Sequence, residues 1–207
     1  AAAMVGRKLS GEPLVGNDGG ASAFTYDADP QGLRCPLGAH IRRSNPRNAD
    51  LPPGSTGLWL RLKRTLGFDA AALDRDHVSS TRFHRLLRRG RKYGPALSIS
   101  QAMMSSAAEA SGLYFICLNA NIARQFEFLQ SAWIVGTKFD GLASEGDPLL
   151  GHRQPGPDGT RTDVYSIPRA DGPDEQLTDV PSFVTVRGGG YFFLPGFRCL
   201  RYLATGR

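Results

Sequence analysis

The chain has 207 residues, enough for one sizeable domain or two small ones that bury a core without disulfide help. It is 41% hydrophobic and 21% charged, an ordinary globular composition, and no stretch approaches the roughly eighteen apolar residues of a membrane span. The net charge of +6 is concentrated in two short patches, Arg42, Arg43 and Arg47, then Arg85, Arg88, Arg89, Arg91 and Lys92. Such patches serve nucleic acid, an anionic ligand or plain solubility, and solvated surface is the ordinary reading of most of these residues. Two compact arginine groups suit a small dianion better than a long phosphate backbone, and few aromatic residues interleave with them.

Residues 1–34 are rich in Gly, Asp and Ala without a sustained period, so loops and at most a short helix are expected. The first residues, AAAMVGRKLSG, lack the apolar core of a secretory signal and read like sequence from inside a domain, which leads to a cytoplasmic expectation. Pro36 and Pro46 bracket a segment too short for a long helix. Residues 48–57 read as a loop, and 58–67 as a short helix closed by Gly67. Residues 83–94 run from an apolar start into a basic turn. SGLYFICLNANI (111–122) is the best strand in the chain. After it Ile122, Phe126, Leu129 and Trp133 recur at helical spacing, with Gly136 behind them. Residues 140–182 are rich in Gly, Pro and Asp and read as a long surface loop. Residues 182–204 read as a strand, a glycine-marked bend, a second strand and a short helix. Strands and helices without regular βαβ alternation indicate an α+β protein.

Three cysteines, Cys35, Cys117 and Cys199, are widely spaced and fit neither a disulfide framework nor a CxxC metal site; they read as incidental thiols of a reducing compartment. Of the four histidines none forms HExxH or HxH, so a zinc hydrolase is unsupported. Taken blind, a histidine is more often structural than a ligand. His40 stands apart by its neighbours: Pro36 and Gly38 before it, Arg42, Arg43, Asn45 and Arg47 after it. A single neutral imidazole suffices to hold a haem iron, and cations on the same segment can pair with its propionates.

RCPLGAHIRRSNPR (34–47) resembles the proximal-histidine motif of dye-decolourising peroxidases. RRGRKYGP (88–95) resembles that family's distal arginine motif, and GLYFICLNANIARQFEFLQSAW (112–133) the strand and helix that follow it. FVTVRGGGYFFLPG (183–196) resembles its closing strand and turn, and MVGRKLSGEPL (4–14) a segment inside its C-terminal half. These blocks stand in the family's order and cover most of residues 1–204.

The resemblance implies a ferredoxin-like α+β fold of the dimeric α+β barrel type, with an antiparallel sheet, packed helices and long surface loops. It covers only the C-terminal, haem-binding half. The family's N-terminal half is not expected within residues 1–207, so its distal acid is expected on a separate chain, on an unseen N-terminal segment, or absent, and the expected protein partners are an N-terminal half on a separate chain or a homo-oligomer. By this resemblance the cofactor is heme b, iron protoporphyrin IX, with His40 as the iron ligand. Arg47 falls on a propionate-binding arginine, and Arg88 on the distal arginine. Leu113 and Phe115 fall on the walls of the distal pocket, and Asn45 and Phe126 among the other cofactor-binding positions. Asp147 falls on the carboxylate that accepts the second imidazole proton. The implied activity is reduction of hydrogen peroxide with oxidation of dyes, phenols or similar one-electron donors. No nucleic-acid or membrane partner is implied.

One departure stands out. The family's distal aspartate sits in a GxxDG motif that this sequence lacks, and Asp18, in GNDGG (16–20), reads as a turn residue. Read alone, Arg88 is equally a solvated arginine, Leu113, Phe115 and Phe126 are core residues, and Asp147 before Pro148 starts a turn. Two alternatives stay open beside the peroxidase: a haem-binding relative without distal acid–base chemistry, and a basic nucleic-acid-binding domain.

Overall fold

Strands β1 (Leu87–Tyr93) and β2 (Gly112–Leu118) pair antiparallel, with Arg88 opposite Cys117, Gly90 opposite Phe115 and Lys92 opposite Leu113. The computed structural model describes residues 1–16, 24–26, 28–47, 81–95, 98, 100, 111–156 and 159–206. The strand expected over 111–122 is β2, whose β-branched and aromatic residues suit a pleated ribbon. The basic turn expected over 83–94 is instead a strand preceded by a single tight helical turn, Thr81–His84. LRRGRKY has little strand propensity of its own, and pairing with β2 over all seven positions overrides it.

Helix α1 (Ala2–Val5) ends at Gly6, whose left-handed backbone (φ 88°) returns its N–H to Ala2 O. A Cβ on Gly6 would stand 2.5 Å from Ile41 Cγ1, so only glycine lets this turn lie against α2 (His40–Ser44). Phe24, Tyr26, Cys35 and Ala39 form one buried cluster there, flanked by Leu14, Val15 and Ile41. α2 is a single short helix between Pro36 and Pro46, as expected.

The helix expected after β2 is present but wound wide. It comprises α3 (Ala123–Glu127) and α4 (Leu129–Val135), with a hydrogen bond from Glu127 N to Ile122 O, five residues back. Leu129, Trp133 and Ile134 bury against Phe139 in a second cluster. α4 packs on α2, which sets the His40 segment against this core.

Two expectations need correction. Residues 140–182 are not a surface loop throughout. Glu145, Asp147, Thr162, Tyr165 and Val180 are buried, and β3 (Tyr165–Ile167) pairs antiparallel with β4 (Glu175–Leu177). The glycines and prolines supply the turns, while a few side chains anchor the segment inward. In 182–196 no strand forms among the described residues. The apolar pattern is there, but no described neighbour accepts its backbone hydrogen bonds. Helix α5 (Phe197–Thr205) follows as expected and closes at left-handed Gly206. The loop expected at 48–57, the helix at 58–67 and the turn at Asp18 lie outside the described residues. All three cysteines are free thiols, Cys35 buried. No described helix is long and apolar enough to cross a membrane.

Candidate functional site

α2 begins at His40, and its imidazole Nδ1 lies 2.9 Å from Asp147 Oδ2, 107 residues further along the chain. The Asp147 side chain is fully buried, while that of His40 keeps 20% exposure. Asp147 is held from all sides: Oδ1 accepts N–H bonds from Leu149 and Leu150 at 2.9 and 2.8 Å, and its own N–H donates to Ile134 O. Burial alone pushes this carboxyl up. The His40 hydrogen bond and charge and the two backbone N–H groups outweigh it and hold the carboxyl below its usual range. An ionised carboxylate on Nδ1 fixes the tautomer with hydrogen on that nitrogen and leaves the Nε2 lone pair free to ligate.

Arg42 and Arg43, read as solvated or anion-facing, are buried and turned inward. Arg42 Nη1 donates to Asp29 O and Cys35 O, both at 3.0 Å, and its guanidinium lies over the Tyr26 ring. Arg43 donates to the main-chain carbonyls of Trp133, Glu145 and Gly136. The patch that the sequence presents as one is therefore divided. Two arginines staple the fold, and Arg47 alone of the three is half-buried and not fully enclosed. It takes up a left-handed backbone (φ 53°) just past α2, sets its guanidinium 4.0 Å from the Phe24 ring centre and donates to Phe24 O. Arg47 is held below the usual arginine range, by burial first and then by the positive charges of Arg7, Arg85 and Arg88, with Tyr26 opposing.

Arg88 projects from β1 on the face it shares with Cys117, Phe115 and Leu113, because paired positions and alternate residues share a face. The Phe115 ring stacks 6.3 Å from that of Phe126, which meets Tyr191 edge-on. Leu113, Phe115, Arg88 and Phe126 thus gather at one side of the β1–β2 ribbon. Asn45 ends α2 with Oδ1 buried and without a partner. His84 stacks on Phe128 as a packing residue, His152 is exposed, and His77 lies outside the described residues. Among the described residues no three His, Cys, Asp or Glu side chains gather as a metal cage.

Three features escaped the sequence reading: Arg7 and Phe24 beside Arg47, and buried Glu145 two residues before Asp147. Only Gly6, set before Arg7 in GRK, hinted at a close approach there.

Solved structures similar to this chain include dye-decolorizing peroxidases. DyP2 from Amycolatopsis sp. is 28% identical and superposes with a TM-score of 0.59, covering 90% of this chain and 37% of that one. A dye-decolorizing peroxidase with an engineered heme pocket is 24% identical with a TM-score of 0.59, over 89% of this chain and 40% of its own, a likeness of fold. In sequence, the multifunctional dye peroxidase DyP2 of Amycolatopsis sp. is 31% identical over 98% of this chain and 40% of its own length. The dye-decolorizing peroxidase AauDyP1 of Auricularia auricula-judae is 29% identical over 94% of this chain and 37% of its own. No family model matches. The chain is similar in sequence and fold to dye-decolorizing peroxidases, and it spans about two-fifths of the length of these curated relatives.

Proposed function

We propose that these 207 residues are the haem-holding, C-terminal-type part of a peroxidase that reduces hydrogen peroxide and oxidises dyes, phenols or similar one-electron donors. The carrying observation is the 2.9 Å pairing of His40 Nδ1 with fully buried Asp147. The donor set fits iron protoporphyrin IX. It offers one orientated imidazole, guanidinium groups for the propionates, an Asn45 amide whose buried Oδ1 lacks a partner and which a flip would turn to donate, and an apolar strand face for the ring.

Bound haem supplies the redox chemistry, accepting oxidising equivalents from peroxide and passing them on one electron at a time. The chain supplies the rest. His40 Nε2 would hold the iron, and Asp147, by accepting the Nδ1 hydrogen, would make Nε2 a stronger electron-pair donor. Arg47 and Asn45 hold the cofactor's polar edge. Arg88 would stabilise negative charge on a departing peroxide oxygen, and a guanidinium is a poor base. Leu113 and Phe115, exposed as the structure stands, and Phe126 would wall the cofactor's reacting face. A base such as the family's aspartate, or a water, would carry the peroxide proton.

Hemin added to the chain is expected to give a Soret band of a histidine-ligated haem, lost in His40→Ala. Arg88→Ala is expected to keep that band and slow the reaction with peroxide on the order of a hundredfold or more. An unchanged Soret band in His40→Ala removes the ligand assignment, and an unchanged peroxide rate in Arg88→Ala removes the distal one.

A further inference from the structure

Helix α5 (Phe197–Thr205) separates its residues by chemistry. At 100° per residue Phe197, Leu200, Leu203 and Ala204 fall along one side, with Arg198, Arg201 and Thr205 opposite. No residue of the helix is buried, and Phe197 and Leu203 are 89% and 69% exposed. A helix of 9 residues is marginal in water by itself, because its first turn is costly to form and most helical stability comes from packing an apolar face. The helix therefore calls for an apolar surface that the described residues do not provide.

The chain just before α5 extends the same surface. Phe192 and Phe193 are 89% and 82% exposed, Leu194 is exposed beside them, and Pro195 and Gly196 lead into the helix. Residues 180–206 contain Arg187, Arg198 and Arg201 and neither aspartate nor glutamate. None of the three arginines forms an ion pair among the described residues. A groove in a folded protein takes one narrow stripe of a helix, whereas here the apolar surface runs on from the helix into the extended segment. Exposed aromatic rings, an apolar helix side and a polar side whose only charges are positive complement an anionic surface with an apolar interior.

We propose that α5 and Phe192, Phe193 and Leu194 form a peripheral docking element for an anionic lipid surface. The helix lies in the plane of the headgroups, apolar side down, with Arg198 and Arg201 facing the lipid phosphates. It rests on the bilayer and does not cross it, and no described helix is long and apolar enough to do so. This partner goes beyond the haem reading and is independent of it.

The test sediments the full chain, without hemin, with vesicles of phosphatidylcholine alone and of phosphatidylcholine mixed with phosphatidylglycerol. The wild-type chain is expected to bind the anionic vesicles at least about tenfold more tightly than the neutral ones, and less tightly as salt is raised. Replacing both Arg198→Gln and Arg201→Gln is expected to weaken binding to the anionic vesicles on the order of thirtyfold. Arg198→Lys with Arg201→Lys keeps the charge and is expected to keep the binding. Leu203→Asp places a carboxylate on the apolar side and is expected to abolish binding to both vesicles. Equal binding of the two vesicle types by the wild-type chain overturns the proposal, and so does unchanged binding in the double glutamine variant or in Leu203→Asp. Should a variant fail to fold, the lipid contrast and salt dependence of the wild-type chain decide by themselves. Binding to neither vesicle also overturns the proposal, and a dimer that Leu203→Asp dissociates would then assign this face to a second copy of the chain.

Discussion

Arg43 Nε donates to the carbonyl oxygen of Trp133 at 2.6 Å, tying the helix that carries His40 to the last turn of α4. Its other two nitrogens reach Glu145 O and Gly136 O, so one guanidinium binds three stretches of main chain. Carbonyls in the last turn of a helix have no partner within it, and Arg43 supplies one. Burial pulls Arg43 down to about 10, against the carboxyls of Asp147 and Glu145, so it stays charged at neutral pH. Lying three residues past His40, it draws the segment bearing Asp147 up to the imidazole.

Arg43→Met is therefore expected to cost about 3 kcal/mol or more, because it strips the buried carbonyls of Trp133 and Glu145 of their side-chain donor. Arg43→Lys keeps a charge but only one attachment point, and about 1–3 kcal/mol is expected to be lost. Urea unfolding checks both, and a Met variant that unfolds at the wild-type midpoint removes the staple.

Two buried carboxyls, two residues apart, are expected to give opposite pH slopes. Asp147 sits below its usual range, so its contribution is present above the unfolded value of about 3.9 and is lost as pH falls through the folded value. Asp147→Asn is expected to flatten the acid limb of the stability curve. It also costs about 1–3 kcal/mol at neutral pH, since the amide serves the His40 N–H less well.

Glu145 runs the other way. Burial raises its carboxyl, with the Ser166 N–H and Arg43 opposing. The folded chain then holds a proton that the unfolded chain has released, and stability falls as pH rises from about 4.3 toward the folded value. Glu145→Gln is expected to remove that fall, each unit of displacement being about 1.4 kcal/mol. Chemical denaturation of the three proteins across pH reads both slopes. Parallel wild-type and Glu145→Gln curves above the acid limb contradict the assignment.

How far the sequence led is clearest at particular residues. His40 and its carboxylate were reached through motif resemblance, since 107 intervening residues hide the pairing from any local pattern. The α+β class and the β2–α3–α4 run follow from periodicity, because apolar spacing is a local signal. Arg42 and Arg43 misled. A charged residue in a basic run looks solvated, and only tertiary structure shows backbone carbonyls closing on it. β1 was missed for a like reason: its strand character comes from β2 and not from LRRGRKY. Residues 182–196 carry strand-like alternation, yet pairing decides the strand and no described neighbour supplies it.

Gly38 lets the two halves of the His40 site close. A Cβ there would stand 2.5 Å from Glu145 Oε1 and 3.2 Å from Tyr165 Cε2. Neither neighbour has room to retreat. Glu145 Oε2 is fixed by the Ser166 N–H at 2.7 Å, and fully buried Tyr165 is anchored through its hydroxyl to Ala3 O at 2.8 Å. Gly38→Ala is therefore expected to destabilise the chain by about 1–3 kcal/mol, the usual effect of one methyl group forced into a packed interior. The collision is chiefly with the Glu145 carboxyl, so Glu145→Ala should open space for the new methyl. In the double-mutant cycle, Gly38→Ala is expected to cost at least about 1 kcal/mol less in the Glu145→Ala background than in the wild type. Strictly additive costs would mean that the two residues do not meet, and that some other contact keeps position 38 small.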